Sequence, residues 1–245
     1  MTYDGIRVDV RDDRVLVTLD RPEVKNAIDA AMVDSLHAVC ADLERDPRPA
    51  ILTGGTEVFA AGADIGQLRD RDRLDALAGI NSGLFDRIAR LPMPTVAAVA
   101  GPAIGGGAEL AYACDFRIGT PSTKFANPEG QLGILAAAGA AWRLTELVGE
   151  PLAKEVLLAG RSIDAEQSLE VRLLNEVVGP EALLATADAW VDRILRAAPL
   201  ATRLTKLALR TPREAHPVFD NVAQAVLFET ADKHERMTAF LERRR

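Results

Sequence analysis

Two carboxylates stand out because their neighbours do not suit them. Glu109 lies in GPAIGGGAELA, residues 101–111, just after the apolar run TVAAVA, and Glu129 lies in FANPEGQLGI among small and apolar residues. A carboxylate in apolar company is costly unless it is paired or neutralised. Two such acids in one site repel each other, and burial with repulsion raises one pKa so that an acid and a base coexist. That pairing suits proton transfer at carbons next to a polarised carbonyl, such as a thioester. Glu109 taken alone has a plainer reading, an acid at a helix start that favours the helix dipole.

A polarised carbonyl also needs hydrogen-bond donors. VFAAGADI (58–65) and AVAGPAIGGGAEL (98–110) share one design, a strand that runs out into glycines and small residues. Backbone N–H groups there face a pocket with no side chain in the way. One N–H from each segment would form an oxyanion hole, the second strengthened by a helix N-terminus. Glu109 follows Gly106 by nearly one helical turn, so its side chain reaches the same pocket. The same glycines would equally let a helix pack tightly on a sheet. The order strand, glycines, helix is also compatible with an anion site.

The elements that must hold these groups can be read from periodicity. IRVDVRDDRVLVTL (6–19) alternates around a charged turn and predicts a hairpin. In the next segment Met32, Leu36, Val39, Cys40 and Leu43 recur at helical spacing. AILTG (50–54) and TVAAVA (95–100) predict buried strands, GGGAELAYACD a helix that starts at its glycines, and FRIGT another strand. Residues 66–91 are polar, then helical with Leu84, Ile88 and Leu91 on one face, a segment suited to cover a site. Beyond residue 140 the strand signal fades except for NEVVG (175–179), and helices punctuated by Gly and Pro take over. Repeated βαβ order predicts an α/β fold. A boundary near residues 190–198 divides a core, 1–195, from a C-terminal helical segment, 196–245. The segment's apolar positions Val222, Val226, Leu227, Met237, Phe240 and Leu241 exceed what it can bury alone, which predicts packing against another subunit.

Composition narrows the function. The 245 residues are 48% hydrophobic and 27% charged, and the formal net charge is −7, which argues against a nucleic-acid binder. The chain shows no basic, apolar leader and no stretch long enough to cross a bilayer, so it reads as a cytoplasmic protein without a membrane. Cys40 and Cys114 fit two buried thiols rather than a disulfide. His37, His216 and His234 are far apart without HExxH, so no metal is expected. GxGxxG, GxxxxGK[ST] and GxSxG are absent, which removes the simplest arguments for a dinucleotide enzyme, an NTPase or an α/β-hydrolase.

Taken in order, VTLDRPEVKNA, FAAGADI, AVAGPAIGGGAELAYACDFRI and FANPEGQLGI resemble the signatures of the enoyl-CoA hydratase/isomerase (crotonase) superfamily, over most of the chain. The resemblance implies a spiral core of repeated ββα units, a C-terminal helical segment used in trimerisation, and a homotrimer or a homohexamer built as a dimer of trimers. It places oxyanion N–H groups on Ala63 and Gly106, and the two catalytic acids of hydratases on Glu109 and Glu129. The implied substrate is an acyl-CoA thioester and the implied reaction is addition of water across the C2=C3 bond. Coenzyme A enters only as part of the substrate, with no other cofactor.

The same resemblance makes Arg21 and Lys25 candidates for the CoA phosphates. Ala27, Ala61, Ala63, Asp64, Ile65 and Gly106 line the substrate path. Lys233, His234 and the ERRR end are candidates to add charge from a neighbouring subunit. A 3,2-enoyl-CoA isomerase, another enzyme of the superfamily, or an acyl-CoA-binding protein without activity stand as alternatives. Where hydratases usually read LGxxPGxGGTQRL, this chain reads LGILAAAGAAWRL. Ala136 replaces the proline, Ala137 and Ala140 replace glycines, and Trp142 takes a polar position, changes expected to narrow the pocket or shift Glu129. Gly66 and Arg236 depart from the pattern as well.

Overall fold

A computed structural model describes residues 3–243. The predicted hairpin is present: β1 (Ile6–Val10) pairs antiparallel with β2 (Val15–Leu19), which turns Val15, Val17 and Leu19 inward. α1 (Ala30–Arg45) starts at Asp29, whose carboxylate accepts the Met32 N–H at 2.8 Å, a side-chain cap for an otherwise orphaned donor. It buries the predicted Met32, Leu36, Val39, Cys40 and Leu43, with Val33 between them. β3 (Ala50–Thr53) follows, and then three short helices, α2 (Ile65–Asp70), α3 (Arg73–Ala78) and α4 (Ile80–Ala89). Only α4 belongs to the core, through Leu84, Phe85 and Ile88, while α2 and α3 bury nothing.

The central part repeats one unit. β4 (Thr95–Val99), β5 (Pro102–Ile104) and α5 (Gly106–Ala113) are followed by β6 (Phe116–Gly119) and β7 (Lys124–Ala126). In each turn the first strand joins a large sheet and the second a small one. The large sheet has the order β1-β2-β3-β4-β6, parallel from β2 onward, and closes with β9 (Glu176–Val177). The small sheet has the order β5-β7-β8, with β8 at Ile163–Asp164, and a bridge from Ala60 to Ala103 adds the end of the preceding turn. This is the spiral of ββα units that the motifs imply. β5, β7 and β8 were not expected, because strands of two or three residues, one opening on a proline, carry no alternation to read.

β4 is buried along its whole length because both faces of the large sheet are covered. Ala97 and Val99 face the cluster that contains α1, α4 and α5. Val96 and Ala98 face α9 (Leu183–Leu195), through Leu183, Ala187 and Val191. Between β7 and α9 the chain forms α6 (Thr145–Val148), α7 (Glu150–Ala159) and α8 (Ala165–Glu170). Cys40 and Cys114 are both buried, and burial pushes each thiol up to about 12.

After α9 the character changes. α10 (Pro199–Leu209) is tied to the core by Lys206, which is buried and donates to Asp115 at 2.6 Å. α11 (Val218–Phe228) and α12 (Ala231–Glu242) bury no residue. Val218, Val222, Val226, Met237, Phe240 and Leu241 are all more than half exposed. Arg244 and Arg245 of the ERRR end lie outside the described residues. No helix among the described residues is long and apolar enough to cross a membrane.

Candidate active site

The three glycines before Glu109 each make room for something different. Gly105 has φ +52°, a left-handed backbone that favours glycine, and a Cβ there would stand 3.0 Å from Glu129 Oε1. A Cβ on Gly106 would stand 3.4 Å from the Ala63 nitrogen. A Cβ on Gly107 would stand 2.3 Å from the Ala60 carbonyl oxygen, closer than any real contact. Gly107 therefore brings α5 against Ala60 with less than a methyl group between them, and Gly106 sits within van der Waals reach of Ala63. Two bonds to Ile28 hold that loop: the Ile28 N–H donates to Gly62 O at 2.8 Å and the Asp64 N–H donates to Ile28 O at 2.9 Å.

The consequence is a pair of idle donors. Neither the Ala63 nor the Gly106 N–H donates to an acceptor among the described residues, and both residues line a cavity of about 430 Å³. Gly106 is also the first residue of α5, where the aligned peptide dipoles favour negative charge.

Glu109 and Glu129 line the same cavity, though each is less than a tenth exposed. Glu109 Oε1 accepts two backbone N–H bonds, from Ala138 at 2.8 Å and from Ala140 at 3.0 Å. Burial nevertheless pushes Glu109 up to about 7; those N–H groups oppose the rise, and the charge of Glu129 adds to it. Glu129 is also raised, again by burial, against the pull of hydrogen bonds that include the Asn127 amide. Asn127 Nδ2 lies 3.4 Å from Glu129 Oε1, and its Oδ1 accepts from the Tyr112 hydroxyl at 3.2 Å. Glu129 Oε2 has no partner among the described residues. Two carboxyls beside two idle N–H donors thus share a largely apolar cavity.

Residues expected at the site separate into two groups. Ala61, Ala63, Ile65, Gly106, Glu109 and Glu129 all line the cavity. Arg21, Lys25, Ala27 and Asp64 do not line it: the first three lie on the turn before α1, and Asp64 lies at the start of α2. Arg21 is committed within the chain: its Nη1 donates to Ala27 O at 2.6 Å and lies 3.1 Å from an Asp29 carboxylate oxygen. Asp64 is the N-cap of α2 and accepts the Gln67 N–H at 3.1 Å. Lys25 is exposed in a left-handed conformation with φ 53°.

The altered loop touches both acids. Its Ala138 and Ala140 N–H groups hold the Glu109 carboxylate, and its Ile134 N–H donates to the Glu129 carbonyl at 3.1 Å. These bonds use backbone atoms, so an alanine serves where a glycine is usual. Ala136 and Ala140 are buried, Ala137 faces the cavity, and Trp142 is turned outward with the Arg143 guanidinium 4.0 Å over its ring. Asn127 was missed altogether, since its role depends on a contact two residues along an irregular turn. Of the covering segment 66–91, the first half does line the cavity and the second half is core.

Comparison with known proteins decides the kinship. A family model described as enoyl-CoA hydratase/isomerase matches residues 13–245. The chain belongs to that family. A probable enoyl-CoA hydratase of Mycobacterium tuberculosis is 35% identical, covering 100% of this chain and 97% of that protein. A short-chain-enoyl-CoA hydratase of Clostridium acetobutylicum is 34% identical, covering 94% of this chain and 92% of that protein. Among solved structures, an enoyl-CoA hydratase from Bacillus anthracis superposes with a TM-score of 0.91 at 30% identity, over 98% of this chain and 97% of that one. The hydratase/isomerase fold and its helical C-terminal part are therefore those of the family.

Proposed function

We propose that this chain is a 2-enoyl-CoA hydratase, adding water across the C2=C3 bond to give a 3-hydroxyacyl-CoA. The observation that carries the reading is the pair of buried carboxyls, Glu109 and Glu129, on one cavity wall with the free Ala63 and Gly106 N–H groups. In the reaction the thioester oxygen accepts from both N–H groups as enolate charge develops, where such donors act most strongly. One glutamate, ionised, takes a proton from water as its oxygen bonds to C3. The other, protonated, gives its proton to C2 as the thioester carbonyl reforms. The pair ends with one proton, as it began, and water has been added. No metal or redox cofactor takes part.

Raised pKa values in both acids favour that single shared proton near neutral pH. The rate should accordingly follow a bell-shaped pH profile. Below the bell both acids are protonated and no base remains; above it both are ionised and no acid remains. A rate that rises monotonically with pH would contradict the shared proton.

For the CoA moiety, the exposed Lys25 is the better phosphate partner, because Arg21 is already paired with Asp29. The exposed apolar faces of α11 and α12 support a homotrimer, or a hexamer of two trimers. The test of the reaction is substrate choice. With crotonyl-CoA the conjugated enoyl-thioester absorbance should fall as 3-hydroxybutyryl-CoA forms. Persistent absorbance, together with conversion of a 3-enoyl-CoA, would make the enzyme an isomerase instead; binding of both without conversion would make it a binding protein.

A further inference from the structure

The cavity wall opposite in character to the acid wall comes from α2, α3 and the start of α4, and it carries a cation. Arg71 lines the cavity beside apolar residues such as Leu68, Ile80 and Leu135. Its Nη1 donates to Asn81 Oδ1 at 2.8 Å, which fixes the head of the side chain at the wall. Among the described residues no carboxylate comes within 4.0 Å of its guanidinium, unlike that of Arg21. A half-buried guanidinium against an apolar chain loses hydration without recompense, whereas a carboxylate would meet it with paired, charge-assisted hydrogen bonds.

Two neighbouring observations agree. Asn81 Nδ2 is sealed from solvent and has no acceptor among the described residues, so the amide that holds Arg71 carries an unmet donor beside it. Asp72 and Asp75 also line the cavity, but both are turned to the start of α3. Asp72 accepts the Leu74 and Asp75 N–H groups at 2.7 and 3.2 Å, and Asp75 accepts the Asp72 N–H at 3.0 Å. Those carboxylates bond to backbone donors and not to Arg71, whose guanidinium is left to the cavity.

We infer that Arg71, held by Asn81, binds a carboxylate at the far end of the acyl group, so that the preferred thioesters are CoA monoesters of dicarboxylic acids. The inference deepens the acyl-CoA reading above and rests on it. Its test uses saturated thioesters, which cannot be hydrated, so that a failure of the reaction and a failure of the specificity are seen separately. Calorimetric titration of adipoyl-CoA, hexanoyl-CoA and 6-hydroxyhexanoyl-CoA into the wild-type protein should show adipoyl-CoA binding at least tenfold more tightly than either. In Arg71→Leu the adipoyl-to-hexanoyl ratio should fall to about one. In Asn81→Asp, where a carboxylate of the protein's own meets the guanidinium, the ratio should also collapse. Hexanoyl-CoA binding as tightly as adipoyl-CoA in wild type, 6-hydroxyhexanoyl-CoA matching adipoyl-CoA, or a ratio preserved in a folded Arg71→Leu protein would each overturn the inference.

Discussion

The two walls of the cavity are built in opposite ways. The acid wall is core: α5 is buried from Gly107 to Ala113, and its Gly107 presses against the 60–63 loop at a distance that admits no side chain. Its working parts are largely backbone, two idle N–H donors and two more that hold Glu109. The opposing wall is surface: α2 and α3 are short, bury nothing and expose Ile65, Leu74 and Leu77. Its working parts are side chains. Chemistry that needs donors held to a fraction of an ångström sits where packing is densest, and selection among acyl groups sits where substitution is cheap.

A substitution that should break the contrast most severely is Gly107→Ala. The added methyl would overlap the Ala60 carbonyl, so α5 must retreat from the loop. Overpacking of this kind costs about 3 kcal/mol, and a shift of the Gly106 donor by about 1 Å costs on the order of 100-fold in rate. Chemical denaturation and turnover should both show the loss. Equal stability would mean that the two elements are not pressed together.

A second change exposes what the acid wall costs. Glu109 in the folded protein titrates at about 7, above the ordinary carboxylate value of 4.5. The folded chain therefore retains a proton that the unfolded chain releases. Stability from this group is complete below about pH 4.5 and is lost as pH rises through 7. Glu109→Gln keeps an acceptor for Ala138 and Ala140 and removes the charge. It should raise the melting temperature at pH 9, by an amount corresponding to up to about 3 kcal/mol, and leave it nearly unchanged at pH 4. A lower melting temperature at pH 9 would show that the carboxylate is stabilising.

The smallest effect is expected in α4, just past the residues that form the other wall. Gly83 lies inside α4 with open space where a Cβ would go. Gly83→Ala should stabilise the protein by about 0.5–1 kcal/mol, the opposite sign from Gly107→Ala. Parallel denaturation curves for the two variants would test the contrast directly, and two losses of similar size would erase it.

The acid wall was legible in the sequence because glycine, small residues and a lone acid are so unusual together in an apolar run. The helix that begins at the glycines followed from that alone, whereas Gly106, Glu109 and Glu129 were candidates to which the family resemblance gave roles. The small sheet was not legible, since Pro102–Ile104 and Ile163–Asp164 are too short to alternate. Partners made through main-chain atoms were equally hidden. Nothing in AAAGAAW says that the Ala138 and Ala140 N–H groups, rather than any side chain, would bind Glu109 across about thirty residues of chain. On the opposing wall, polar composition showed a covering segment but not that Arg71 would face the cavity with no carboxylate paired to it.

The central claim is that both acids act in one hydration. It is tested most directly by the rate of crotonyl-CoA hydration in Glu109→Gln and in Glu129→Gln, measured beside the binding of butyryl-CoA. Each variant should lose about 10²–10⁴ in kcat while still binding butyryl-CoA. Turnover within a few-fold of wild type in either variant would remove that glutamate from the chemistry and contradict the account.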